Sequence, residues 1–154
     1  TSGHAGFVIE CNPYDQRDAE MAAYPLAMRH QAVDIATRTR GPWAVRNERI
    51  KNVGWLTLIG SPLLERIGGA KTLQSKASER LHVTSTKYGV VIRAGERPIL
   101  GDVNRQENLQ AYYDAYALVS PLHEGIEELF APFSLEGDVD EVEATLRWLS
   151  RFRS

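Results

Sequence analysis

Apolar positions along this chain follow two different periods, and the breaks between them mark out the elements. Residues 6–11 (GFVIEC) form a short apolar run ended by Asn12-Pro13, which predicts a buried strand, a turn, and a helix capped by Asp15. Met21, Tyr24 and Met28 then recur at helical spacing over residues 16–30, and Pro25 in that interior predicts a kink or a split. Residues 34–50 are Arg-rich, include Gly41-Pro42 and carry Trp43, so they read as a long basic connection. The β-branched and aromatic run 53–59 (VGWLTLI) predicts a strand buried on both faces. Ser61 at an N-cap with Pro62 behind it starts a short helix over 62–67, Gly68-Gly69 stops it, and a further turn or two is expected over 71–78.

The second half of the chain shows the same two periods. Residues 80–84 and 87–94 predict strands, with a hairpin turn at Gly95-Glu96 leading into 97–100. Asn104 followed by Glu107 resembles a capping box, and Leu109, Tyr112, Tyr113, Tyr116 and Val119 continue at helical spacing until Pro121. Asp138 with Glu141 repeats that start signal before a last helix, whose stripe is Val139, Val142, Leu146 and Leu149. Its acids lie at the N-terminal end and Arg147, Arg151 and Arg153 at the other, which complements the helix dipole. Strands and helices alternate irregularly and nothing repeats, so hairpins are favoured over crossovers. The expected fold is α+β, a mainly antiparallel sheet with flanking helices in a single domain over residues 1–154.

At 154 residues the chain is long enough to fold around one core, and its 43% hydrophobic and 25% charged content is that of an ordinary globular domain. The first residue is Thr, which points to numbering that starts inside a longer product or after processing. A lone cysteine, Cys11, rules out an internal disulfide framework and fits a reducing compartment. No apolar run approaches the roughly 18 residues that span a bilayer. The formal net charge of -2 conceals a division along the chain. Residues 29–105 carry fourteen Lys or Arg against six acids, whereas residues 106–146 carry ten Asp or Glu and no Lys or Arg. That acidic stretch is either the solvated face of amphipathic helices or a docking face for a basic protein.

Motifs for catalysis are absent. His4, His30, His82 and His123 are scattered without metal-ligand spacing and read as surface or half-buried imidazoles; Cys11 ends an apolar strand and reads as a small hydrophobe. No nucleophile elbow, Walker A loop or dinucleotide fingerprint occurs, and Gly68 to Thr72 lacks the first glycine of a phosphate loop. Asp102, just ahead of a helix start, is explained as a cap more simply than as a catalytic acid. The segment 38–51, with Arg38, Arg40, Arg46, Arg49 and Lys51 around Trp43, suits a small nucleic-acid-associated regulator, although a pI near 6.1 argues against a dedicated binder. A third possibility is an enzyme whose partner residues lie in a preceding segment.

Residues 53–69 (VGWLTLIGSPLLERIGG), 98–122 (PILGDVNRQENLQAYYDAYALVSPL) and 147–152 (RWLSRF) together resemble the bacterial TsiV family, type VI secretion immunity proteins against VRR-NUC nuclease effectors. These blocks cover about a third of the chain in the family's order. The resemblance implies a cytoplasmic, non-enzymatic inhibitor that binds a cognate DNA-cleaving toxin of the PD-(D/E)xK-like class, with no cofactor, no metal, no membrane and no direct nucleic-acid contact. The matching blocks are core and caps and carry no interface residue. A nuclease presents a cationic cleft to phosphates, so an acidic inhibitor surface gains on-rate and specificity. The expected field comes from Glu124, Glu127, Glu128, Glu136, Asp138, Asp140 and Glu141, with Phe130 and Phe133 as either apolar anchors or core.

Overall fold

The centre of the molecule is built on two strands whose inward positions alternate in register. The computed structural model describes residues 2–9, 16–35, 49–123 and 131–153, with the side chains of 2–5, 7–9 and 16–20 left aside. Strand β1 (Ser2–Ala5) begins the chain, followed by β2 (Phe7–Ile9), α1 (Gln16–Arg29) and β3 (Val33–Ile35). Then come β4 (Leu56–Gly60), α2 (Ser61–Arg66), α3 (Gly69–Lys76), β5 (Leu81–Thr86), β6 (Gly89–Ala94), α4 (Gln110–Leu118) and α5 (Glu141–Leu149). Strands β1, β4, β6 and β5 form one antiparallel sheet in that order, and β2 pairs with β3 in parallel. The α+β class with a mainly antiparallel sheet therefore holds.

Pairing puts Ile59 opposite Val90, Thr57 opposite Ile92, and Leu81 opposite Ala94. All six are buried on one face, beneath Leu63, Leu73, Leu109, Tyr112, Ala115 and Tyr116 from the helices and their approaches. The other face holds Leu56, Leu58, Val91 and Arg93, which are only half-buried. The run 53–59 is thus not buried on both faces, and it pairs only from Leu56 onward. Thr57 is tolerated inside because its hydroxyl accepts from the Gly54 amide at 3.2 Å.

The hairpin turn sits earlier than the sequence suggests. Lys87-Tyr88 joins β5 to β6, and residues 97–100 form no strand. Neither turn residue has a positive φ, so the reversal falls on Gly89 at φ 147°, while the Thr86 hydroxyl donates to the Gly89 carbonyl and accepts from the Tyr88 amide. A β-carbon on Gly89 would stand 2.0 Å from the Ile59 carbonyl oxygen. Gly89→Ala is expected to pry β6 from β4 and destabilise the fold by about 1–3 kcal/mol. A melting temperature equal to that of the native chain would refute this account.

Further expectations are corrected by backbone geometry. Strand β2, helix α1 and strand β3 make a crossover unit, the connection that hairpin logic disfavours, and β3 occupies the start of the expected basic connection. Helix α1 runs unsplit through Pro25. Gly60, not Ser61, is the N-cap of α2, with no side-chain cap bond, and α3 starts at Gly69 behind Gly68 in the left-handed region. Asp102 rather than Asn104 caps the one-turn 3-10 helix Val103–Arg105, and Glu107 folds back on the Gly101 and Asp102 amides. Arg29 grips that aspartate through two bonds of 3.2 and 3.1 Å, and the guanidinium holds the carboxyl below its ordinary range. The capping explanation of Asp102 is the one the geometry supports.

A second apolar cluster lies beside the first. Ala23 and Ala27 of α1, Ile35 of β3, Phe133, and Trp148 and Leu149 of α5 are buried together, with Tyr24, Met28 and Leu135 packed against them. The Phe133 ring lies 5.4 Å from Tyr24 and 5.5 Å from Trp148. Arg151 joins the clusters, its guanidinium 4.1 Å from the Trp148 ring and 4.8 Å from Phe152, which belongs to the sheet core. His123 is fully buried, not at the surface, and stacks on Tyr116 with ring centres 4.1 Å apart.

Candidate partner-binding surface

Helix α5 and the segment before it carry those of the candidate acidic residues that the structure describes, Glu136, Asp138, Asp140 and Glu141. Asp140 is the N-cap, and its carboxylate accepts from the Glu143 amide at 2.9 Å; Asp138 does not cap. Glu141 accepts from the Leu135 amide at 2.9 Å, and Phe133 donates its amide to the Thr145 hydroxyl at 2.8 Å. The same hydroxyl donates to the Glu141 carbonyl at 2.7 Å. These bonds tie residues 133–135 to the first turns of the helix. Two of the four described candidate acids, Asp140 and Glu141, thereby hold local structure. The other two, Glu136 and Asp138, are exposed and have no partner among the described residues.

Phe133 is 1% exposed and belongs to the second cluster, so it is core and not an exposed anchor. Glu124, Glu127, Glu128 and Phe130 lie outside the described residues, as do Cys11, Arg38, Arg40, Trp43 and Arg46. Of the basic segment, Lys51 turns inward: it bonds Asp34 at 3.0 Å, donates to the Ile35 carbonyl, and stands 4.9 Å from the Trp148 ring. Arg49 is half-buried. Among the described residues no group of three or more His, Cys, Asp or Glu is placed to hold a metal ion. None of the described helices is long and apolar enough to cross a membrane.

Of the apolar stripe expected for α5, only Leu149 turns to the core. Ala144, Thr145, Trp148 and Leu149 face the core, while Val139, Val142 and Leu146 are 48%, 54% and 39% exposed. Both sets recur at three- and four-residue spacing, so periodicity finds a stripe without saying which one is covered. Thr145 reads as polar in the sequence, yet its hydroxyl is satisfied locally and goes inside. The excess of apolar positions over one buried arc was the available sign of a second face.

A family model described as type VI immunity for VRR-NUC matches residues 1–152 of the chain. The structure is similar to that of the Pseudomonas aeruginosa T6SS protein PA0821, with a TM-score of 0.73 and 23% sequence identity. The superposition covers 98% of this chain and 43% of that protein, so this chain spans less than half of its length. At that identity the likeness is one of fold. No curated protein matches the chain.

Proposed function

From the premise that the chain belongs to the TsiV family of type VI immunity proteins for VRR-NUC effectors, we propose that it neutralises one cognate nuclease by stoichiometric binding. The match over residues 1–152 carries this reading. The inhibitor acts in the cytoplasm of the producing cell, uses no cofactor and turns nothing over. Its contact includes the acidic segment before and within α5, where Glu136 and Asp138 project unpaired charge among the described residues. A nuclease must hold a polyanion and so presents Lys and Arg around its cleft. An acidic surface on the inhibitor speeds encounter with such a cleft and disfavours neutral or acidic partners.

The test has two parts. Co-expression of this chain is expected to rescue a host from its cognate VRR-NUC effector, and a host that dies all the same would reject immunity. With purified proteins, the pair Glu136→Lys and Asp138→Lys is expected to slow association about tenfold at low ionic strength, with the gap closing as salt is added. The thermal melt should not move, because both side chains are exposed. Equal association rates at low salt would remove the acidic segment from the contact.

A further inference from the structure

We propose that Val142 and Leu146, with Val139 at their acidic end, form the apolar centre of the contact with the nuclease effector, a proposal that rests on the immunity reading above. Val142 and Leu146 are one turn apart on α5, and Val139 stands one residue ahead of the Asp140 cap. All three are among the large hydrophobic side chains left most open to water in the described residues. Single exposed aliphatics are ordinary, whereas several grouped on one helix face are the mark of a binding surface. The opposite face of α5 already fills the second cluster, so this helix has apolar side chains on two sides and uses one of them within the chain.

The charges around the stripe choose the occupant. Asp138 and Asp140 lie at its N-terminal end and Glu143 within its first turn, while Arg147 is engaged by Glu143 at 2.7 Å. The fitting partner is a groove with an apolar floor and a rim of Lys or Arg, which is what the border of a phosphate-binding cleft offers. Helix-in-groove recognition of this kind reads anchors at one-turn spacing. A second copy of this chain fits worse, since two acidic rims would face each other with like charge. In this arrangement the stripe sets the lifetime of the complex and the rim sets the rate of encounter.

The decisive comparison uses the cognate VRR-NUC nuclease and three forms of the inhibitor: native, the double variant Val142→Ala with Leu146→Ala, and the control Leu26→Ala. Leu26 is equally exposed but lies on α1. Dissociation of the double variant is expected to be about 30-fold faster, with association within about twofold of native and an unchanged circular dichroism melt. The control should behave as native. If native protein binds and the double variant leaves no faster, the stripe is not the centre of the contact and the immunity reading stands. If native protein does not bind at all, the immunity reading itself falls and takes this proposal with it. A free inhibitor that is dimeric, and that the double variant makes monomeric, would assign the stripe to a second copy and overturn the proposal.

Discussion

Arg151→Ala is expected to destabilise the fold by about 3–5 kcal/mol, a large part of the stability available to a domain of this size. The side chain is 3% exposed and serves several groups at once. Its Nε donates to the Gln31 carbonyl at 2.9 Å, one terminal nitrogen donates to the Trp148 carbonyl at 2.9 Å, and the other reaches the Val33 carbonyl and the Asp34 carboxylate. Burial pushes the guanidinium down to about 10, and the Asp34 carboxylate offsets part of that, so it stays charged at neutral pH. Truncation strands the Gln31 and Val33 carbonyls in the interior and leaves Asp34 to Lys51. It also removes the flat group packed between Trp148 and Phe152. Arg151→Lys keeps the charge without the planar fork and should recover only a minor share. Urea unfolding reads the result as a lower midpoint at unchanged slope; a midpoint within experimental scatter of native would show the network to be dispensable.

The second large effect is one of pH. His123 is buried, and among the described residues neither ring nitrogen has a partner at hydrogen-bonding geometry. Burial pulls its pKa down from 6.5 to about 4, with the neighbouring Ile50 backbone opposing part of the shift. Unfolded, the imidazole takes a proton near 6.5; folded, it stays neutral until about 4. Between those values the unfolded chain binds more protons, so stability is full above the upper value and declines as pH falls. The contribution of this one group amounts to about 3 kcal/mol, lost by the time the pH reaches the folded value. Asp102, held low by Arg29, gives up its own contribution only under more acidic conditions. His123→Phe preserves stacking on Tyr116 and cannot ionise, so its unfolding midpoint should vary less across this window. Parallel profiles for the two proteins would exonerate the histidine.

The sheet was legible where alternation and length agreed. Leu81–Thr86 and Gly89–Ala94 are six-residue strands, the second with Val90 and Ile92 inward, and α4 announced itself through aromatics at helical spacing. Strand β3 was hidden because it is three residues long with Asp34 in its middle, and that charge is tolerable only because Lys51 and Arg151 arrive from elsewhere in the chain. No local pattern reports such a rescue. Pro25 did not split α1, because Ala23 and Ala27, two positions to either side, bury against Ile35, Phe133 and Trp148 and outweigh local preference. Of the candidate surface, the acidic bias was plain in the composition. The division of Asp140 and Glu141 from Glu136 and Asp138 was not, because capping and loop pinning depend on where the helix begins.

The bonds from Phe133 to Thr145 and from Leu135 to Glu141 also bear on the thermodynamics of any encounter made there. A segment already fastened to its helix has little backbone freedom left to lose, so docking on it is closer to rigid-body association than to coupled folding. The heat-capacity change of complex formation should then track the apolar area covered, without the larger decrement that ordering a loose chain would add.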